Sequence, residues 1–140
     1  KDYYAYLSSL LQHRGLVSWN NIGVNKLRAV KNSVSVWSTS CRTDRYQEVL
    51  LARVRIGHTK LTHQHLMCGD PPPFCDQCLV PLTMYHILTE CPEYVEARQR
   101  YFGTRGLPNP PSLRHILRDD EPAVSALFGF LRATNLVWNL

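Results

Sequence analysis

The 140-residue chain predicts a mainly helical domain with a short extended linker. Three observations carry that reading. Apolar residues recur at three- and four-residue spacing in several segments, hydrogen-bonding residues stand where helices should begin, and apolar alternation is confined to one short stretch around Val34, Val36 and Trp37. The length suits one domain. Apolar residues make up 44% and charged residues 19%, which fits a folded protein and excludes wholesale disorder. No apolar run approaches the roughly 20 residues that cross a bilayer, so no membrane partner is expected. The opening Lys1-Asp2-Tyr3-Tyr4 has no signal-peptide core and does not start with Met, which predicts a piece of a longer chain.

Residues 2–14 read as the first helix, with Asp2 as cap and Tyr3, Leu7, Leu10 and Leu11 as its stripe; Gly15 ends or interrupts it. Residues 22–40 mix Gly23, Asn25, Asn32 and several serines with the alternating stretch, and read as an extended linker or short strand. A second helix should run from Thr43, its cap, to Ile56, ending at Gly57. Tyr46, Val49, Leu50 and Val54 form its apolar stripe. Arg45, Glu48 and Arg55 fall on the outer face of its wheel, whereas Arg53 falls among the apolar positions. Lys60–Met67 reads as a short helix or turn. Asp70-Pro71-Pro72-Pro73 breaks regular structure and forms a stiff strut. Thr83 can cap a helix across His86–Glu90, and Pro92 leads into one holding Tyr94, Val95, Arg98, Tyr101 and Phe102. A loop over 106–111 precedes a short helix at Leu113, Ile116 and Leu117. Asp119-Asp120 caps the last helix, whose Val124, Leu127, Phe128 and Leu131 face a core.

The five cysteines are an odd number for a disulfide framework. Without an export signal, a reducing compartment and a metal site are the better expectation. Cys75, Cys78, His86 and Cys91 form the pattern C-x2-C-x7-H-x4-C. A CxxC turn can hold one edge of a zinc tetrahedron, and a histidine and cysteine on the following helix can supply the other. Four protein ligands leave no open position, so the predicted cofactor is one structural Zn2+, and the fold becomes a small helical domain with one CCHC zinc knuckle. The alternatives are a chance grouping of buried cysteines and a CxxC redox pair, the latter disfavoured by the proline strut upstream. His58, His63, His65 and Cys68 show no ligand spacing for a second metal. Cys41 and Cys68 read as ordinary thiols.

Catalysis is not expected. No paired aspartates on a polymerase-type hairpin, no nucleophile elbow and no phosphate loop occur, and residues 1–60 offer only Asp2, Asp44 and Glu48 as carboxylates. The charge is uneven. Residues 1–60 hold ten Lys/Arg and three Asp/Glu, net +7; residues 61–92 hold no Lys or Arg and three acids, net −3; residues 93–140 are net +1. The front half therefore suits a polyanion, or is an ordinary solvated basic face.

The stretch Glu48-Val49-Leu50-Leu51-Ala52-Arg53-Val54-Arg55-Ile56-Gly57-His58-Thr59-Lys60-Leu61-Thr62-His63 resembles the C-terminal region of non-LTR (LINE-type) retrotransposon polyproteins of the jockey and I-factor kind. So does Pro81-Leu82-Thr83-Met84-Tyr85-His86-Ile87-Leu88-Thr89-Glu90-Cys91-Pro92. The resemblance covers most of residues 20–135. It implies residues 1–21 as the helical tail of, or the stretch after, an upstream ribonuclease H domain, 22–40 as linker, and 41–140 as the helical domain with its knuckle at 75–91. It also implies a zinc site at Cys75, Cys78, His86 and Cys91, a role beside the reverse transcriptase in target-primed reverse transcription, and an intracellular setting in nucleus and cytoplasm. The partners implied are RNA or DNA and the rest of the polyprotein. A knuckle segment without Lys or Arg attracts phosphate poorly, so the contacts are expected from Lys26, Arg28, Lys31, Arg42, Arg45, Arg53, Arg55, His58 and Lys60. Trp37 or Tyr85 can stack on a base, although a buried aromatic is the simpler reading of each. A protein-docking module with no nucleic-acid contact is the alternative function.

Overall fold

The computed structural model describes residues 2–23, 25–103 and 111–140. Among these it is mainly helical, and its only β pairing is an isolated bridge between Phe74 and Pro81. The chain order is α1 (Asp2–Asn21), α2 (Lys26–Val30), α3 (Arg45–Ile56), α4 (Lys60–His63), α5 (His65–Cys68), a π-helical turn at His86–Glu90, a 3-10 turn at Pro92–Tyr94, α6 (Val95–Phe102), α7 (Leu113–Ile116), α8 (Glu121–Ala133) and a 3-10 turn at Val137–Asn139. No helix of the described residues is long and apolar enough to cross a membrane. Of the expected loop over 106–111, residues 106–110 lie outside the described residues.

The last helix organises the core. Asp120 accepts a hydrogen bond from the Ala123 N–H at 2.8 Å, and Pro122 occupies the first turn, where its missing N–H costs nothing. Val124, Leu127, Phe128, Phe130 and Leu131 are buried on α8. They pack with Phe102 of α6, Ile116 of α7, Ile87 and Leu88 of the π-helical turn, and Leu50, Leu51 and Val54 of α3. Gly129 sits inside α8 because a Cβ there would stand 2.5 Å from the Tyr101 ring.

Three features differ from the expectations. Helix α1 continues through Gly15 to Asn21, and none of its residues is buried. Within the expected linker, residues 26–30 form α2, started by the Asn25 side chain, which accepts from the Leu27 N–H at 2.8 Å, and held down by the burial of Val30. The cap of α3 is Asp44, not Thr43; its carboxylate accepts from the Tyr46 N–H at 2.9 Å.

The arginines of α3 exchange places relative to the helical wheel. Arg55, expected outside, is 6% exposed, while Arg53, expected among the apolar positions, is exposed and donates to the Leu140 carbonyl at 3.3 Å. The reason is which side of α3 meets its neighbours. Trp37 and the chain at Arg118–Asp119 cover the face of Leu51 and Arg55, whereas Tyr46 remains 48% exposed. The Arg55 guanidinium lies 3.9 Å from the Trp37 ring centroid, donates to Thr39 Oγ1 at 2.8 Å and to the Arg118 carbonyl at 3.3 Å, and stands 3.8 Å from Asp119 Oδ1. Asp119 in turn accepts from the N–H of Ser38 at 2.6 Å, the N–H of Thr39 at 2.9 Å and the hydroxyl of Thr39 at 2.6 Å. Sequence reading placed Asp119 with the cap of α8; the structure leaves that task to Asp120 and turns Asp119 to the 38–39 segment.

Burial alone would raise the Asp119 carboxyl, but the hydrogen bonds from Thr39 and Ser38 outweigh it and bring it from 3.8 to about 2. A carboxylate held below its unfolded value stabilises the fold above that value and ceases to as it is protonated. Native stability should therefore drop between about pH 4 and pH 2, and Asp119→Asn, measured by denaturant unfolding at pH 7, should lose roughly 1.5–3 kcal/mol. An unchanged midpoint in that variant would show that the network does not hold the 38–39 segment.

Candidate metal centre

Two short pieces of backbone build the site. The first is a hairpin at residues 74–81, in which the Cys75 N–H donates to the Val80 carbonyl at 2.9 Å and the Leu79 N–H to the Cys75 carbonyl at 2.8 Å. Leu79 takes a left-handed φ of 56° to close this turn, a conformation that favours glycine. The second piece is the π-helical turn. The His86 N–H donates to Thr83 Oγ1 at 3.0 Å, so Thr83 caps it as the sequence suggested. The Cys91 N–H donates to the His86 carbonyl at 2.8 Å, an i to i+5 bond. In an α-helix residues five apart would diverge by about 140° around the axis. The wider turn brings Cys91 back over His86, so both side chains reach one point.

The donor atoms of Cys75, Cys78, His86 and Cys91 all lie within 4.8 Å of one another. The arrangement fits a tetrahedral ion on two counts. Cys75 Sγ and Cys91 Sγ are 3.7 Å apart. That is far beyond the roughly 2.05 Å of a disulfide. It matches the edge of about 3.8 Å spanned by two thiolates at about 2.3 Å from a common metal. Second, His86 Nε2 is buried with no hydrogen-bond partner, while Nδ1 faces Glu90 Oε2 at 3.2 Å. A carboxylate that accepts the Nδ1 proton leaves the Nε2 lone pair for a metal. These four residues can hold one metal ion. All four were named from sequence, and the structure brings all four together.

The electrostatics suit the same conclusion. The His86 ring beside it draws the Cys75 thiol down to about 7, whereas burial pushes Cys91 up to about 11 and raises Cys78. The raised thiols of Cys78 and Cys91 become thiolates near neutral pH only with a cation to stabilise them. Three thiolates and a divalent ion leave one negative charge. Arg98 is 6% exposed and donates to the Ile87 carbonyl at 3.2 Å. Burial lowers its pKa and the field of Cys91 raises it, so its guanidinium stands within reach of that residual charge.

Glu90 and Arg98 were not singled out from the sequence. Each carried a signal: Glu90 stands four residues after His86, and Arg98 is the basic residue in an otherwise apolar stripe with Tyr94, Val95, Tyr101 and Phe102. His58, His63, His65 and Cys68 form no second metal-holding group among the described residues.

Of the nine basic residues expected to meet nucleic acid, four are engaged within the fold, and a fifth, Arg53, is exposed but gives one N–H to the Leu140 carbonyl. Arg28 donates to the carbonyls of Asn20 and Ile22 at 3.1 and 2.8 Å, and Lys31 to the Ser35 carbonyl while covering the Trp37 ring. Arg42 pairs with Glu121 at 3.0 Å, and Arg55 is buried as described. Lys26, Arg45, Arg53, His58 and Lys60 are exposed. Arg45 is held only by a surface pair with Glu48 at 2.7 Å, an interaction worth little.

Cys78→Ser should abolish metal binding and speed amide hydrogen exchange across residues 70–103, and unchanged metal content and exchange would rule the site out. Glu90→Gln removes the anionic acceptor on His86 and should weaken metal affinity about 10- to 100-fold in a chelator competition. Because the thiols must be deprotonated to bind, that affinity should rise with pH, with proton release on loading.

Models of known protein families, curated proteins and solved structures offer no match to this chain, so the geometry of the site stands on its own.

Proposed function

We propose that this chain is a zinc-knuckle region of a non-LTR retrotransposon reverse transcriptase polyprotein. In this reading the ion is one structural zinc, and the region binds RNA or DNA inside the cell, in nucleus and cytoplasm, as an accessory to target-primed reverse transcription. The observation that carries the reading is the meeting of three sulfurs and one imidazole within 4.8 Å. They belong to the C-x2-C-x7-H-x4-C pattern, whose second half lies in one of the two retrotransposon-like stretches. Closed Cys3His coordination favours zinc and a structural role over a catalytic one.

The nucleic-acid surface in this proposal is narrower than charge alone suggests. It consists of the exposed Lys26, Arg45, Arg53, His58 and Lys60, since Arg28, Lys31, Arg42 and Arg55 spend their donors inside the fold and Arg53 gives up only one of its own. The knuckle itself, with no Lys or Arg between residues 61 and 92, orders the chain and does not bind phosphate.

One observation favours a docking role instead. Phe74, Leu79 and Val80 are 55%, 80% and 38% exposed on one tight hairpin, an apolar tip without cations. The two readings separate experimentally. Native mass spectrometry with and without chelator should find one zinc per chain. Binding of single-stranded RNA across a salt series should weaken by about 0.7 in log K per log salt for each phosphate neutralised, and the triple variant Lys26→Ala, Arg53→Ala, Lys60→Ala should flatten that slope by about 2. Absent or salt-insensitive binding would favour docking.

A further inference from the structure

One of the free cations, Lys26, lines a small cavity that neither the metal nor the core explains. It is enclosed by α2, α3, α7 and the 83–85 segment and measures about 240 Å³. Ala29, Ile56, Met84 and Leu113 give it an apolar lining, Lys26 and His63 stand at its wall, and Tyr85 borders it with its side 53% exposed. The volume is below the roughly 300–1,000 Å³ that encloses drug-sized ligands, and suits one planar ring.

The surroundings specify what kind of ring. Burial lowers the pKa of His63, and the neighbouring charges of His58, Lys26 and His65 act in the same direction, so its imidazole is neutral at pH 7. Its Nδ1 is engaged by Thr62 Oγ1 at 2.7 Å, and its ring stacks on that of His58 at 3.9 Å. The cavity thus offers an exposed aromatic face, an apolar slot, a neutral imidazole for hydrogen bonding and an ammonium. These are the elements that bind an unstacked base and its phosphate. A base paired in a duplex could not enter.

We propose that this cavity receives one unpaired base of a single-stranded nucleic acid, stacked on Tyr85, with the adjoining phosphate on Lys26. The inference rests on the nucleic-acid reading above and deepens it. It also gives the metal centre a second consequence, because Thr83, Met84 and Tyr85 of the cavity wall belong to the turn that His86 anchors.

The test uses the zinc-loaded chain and a fluorescently labelled 12-nucleotide RNA, the same sequence as DNA, and the duplex of each, with anisotropy as readout. Both single strands should bind more tightly than their duplexes. Tyr85→Ala should weaken single-strand binding roughly 5- to 150-fold, the equivalent of one stacking contact, and Tyr85→Phe should bind like the parent. Lys26→Ala should reduce the salt slope by about 0.7. Ala29→Phe fills the cavity from α2, away from the metal turn, and should block binding as Tyr85→Ala does with metal content unchanged. If Tyr85→Ala and Ala29→Phe both retain zinc and bind as the parent does, the cavity assignment is overturned while nucleic-acid binding stands. If the parent chain binds neither strand nor duplex, both readings fall.

Discussion

The hairpin at residues 74–81 is held by very little besides the point where Cys75 and Cys78 meet His86 and Cys91. The hairpin has one bridge, between Phe74 and Pro81, and presents Phe74 and Leu79 to solvent rather than to a core. It closes through a left-handed leucine. The turn that follows is π-helical and closes on the Cys91-to-His86 bond, a geometry less favourable than α-helix. Without a further link, the hairpin has too little buried apolar surface to offset the entropy of ordering it. Alongside Met84, Ile87 and Leu88, the two pieces bury three of the donors: Cys75, His86 and Cys91 are each at most 5% exposed. Buried polar atoms with no partner destabilise a fold, so the same atoms that lack protein partners are the ones a cation would satisfy. A bound metal and the local conformation would therefore support one another, while the hydrophobic part of the turn, Ile87 and Leu88, ties it to the α8 core.

The basic front half is joined to the rest by different means. Beyond the core packing of Val30, Leu50, Leu51 and Val54, its ties are charge-assisted: Arg55 to Thr39, Trp37 and Asp119; Arg42 to Glu121; Arg114 to Asn32 at 2.6 Å. Arg55 and Asp119 are 64 positions apart by their numbers and meet at the one place where α3, the 37–39 segment and the start of α8 converge. A buried guanidinium without that carboxylate would be strongly destabilising, which makes the pair a condition of the packing rather than an addition to it. The same economy limits function. Cations used to close the fold are not available to a polyanion, and the net +7 of residues 1–60 overstates the charge that can be offered.

The helices were legible where a cap and an apolar repeat coincide. Asp120, Pro122 and the Val124–Leu131 stripe announced α8, and Gly57, at φ 76°, marked the end of α3. The four clustered donors were legible because metal-holding chemistry needs fixed residue types at short spacing, and spacing survives without knowledge of the fold. The face of α3 was not. A wheel ranks faces by hydrophobicity, but Arg55 is buried through Trp37 and Asp119, one from a segment read as linker and one from a residue read as a cap. Short helix α2 was missed because five residues hold too little periodicity to register, although Asn25 gave the cap. Glu90 was missed because a second carboxylate near a ligand has meaning only when the ligand's free nitrogen is known.

The placement of Tyr85 ties these threads together. It precedes a ligand and is itself exposed, in a turn whose other residues, His86 to Thr89, are buried. Its carbonyl accepts from Thr89 Oγ1 at 2.7 Å, and the next residue's N–H is capped by Thr83, so its backbone is fixed on both sides. A side chain on so fixed a backbone loses less freedom on binding than one on a loose loop, which lowers the entropic cost of a stacking contact. The ion would then act at a distance without touching any phosphate: by holding His86 it would hold the residue beside it, and an anionic metal centre whose neighbouring cation, Arg98, is buried could still control how a basic surface meets its ligand.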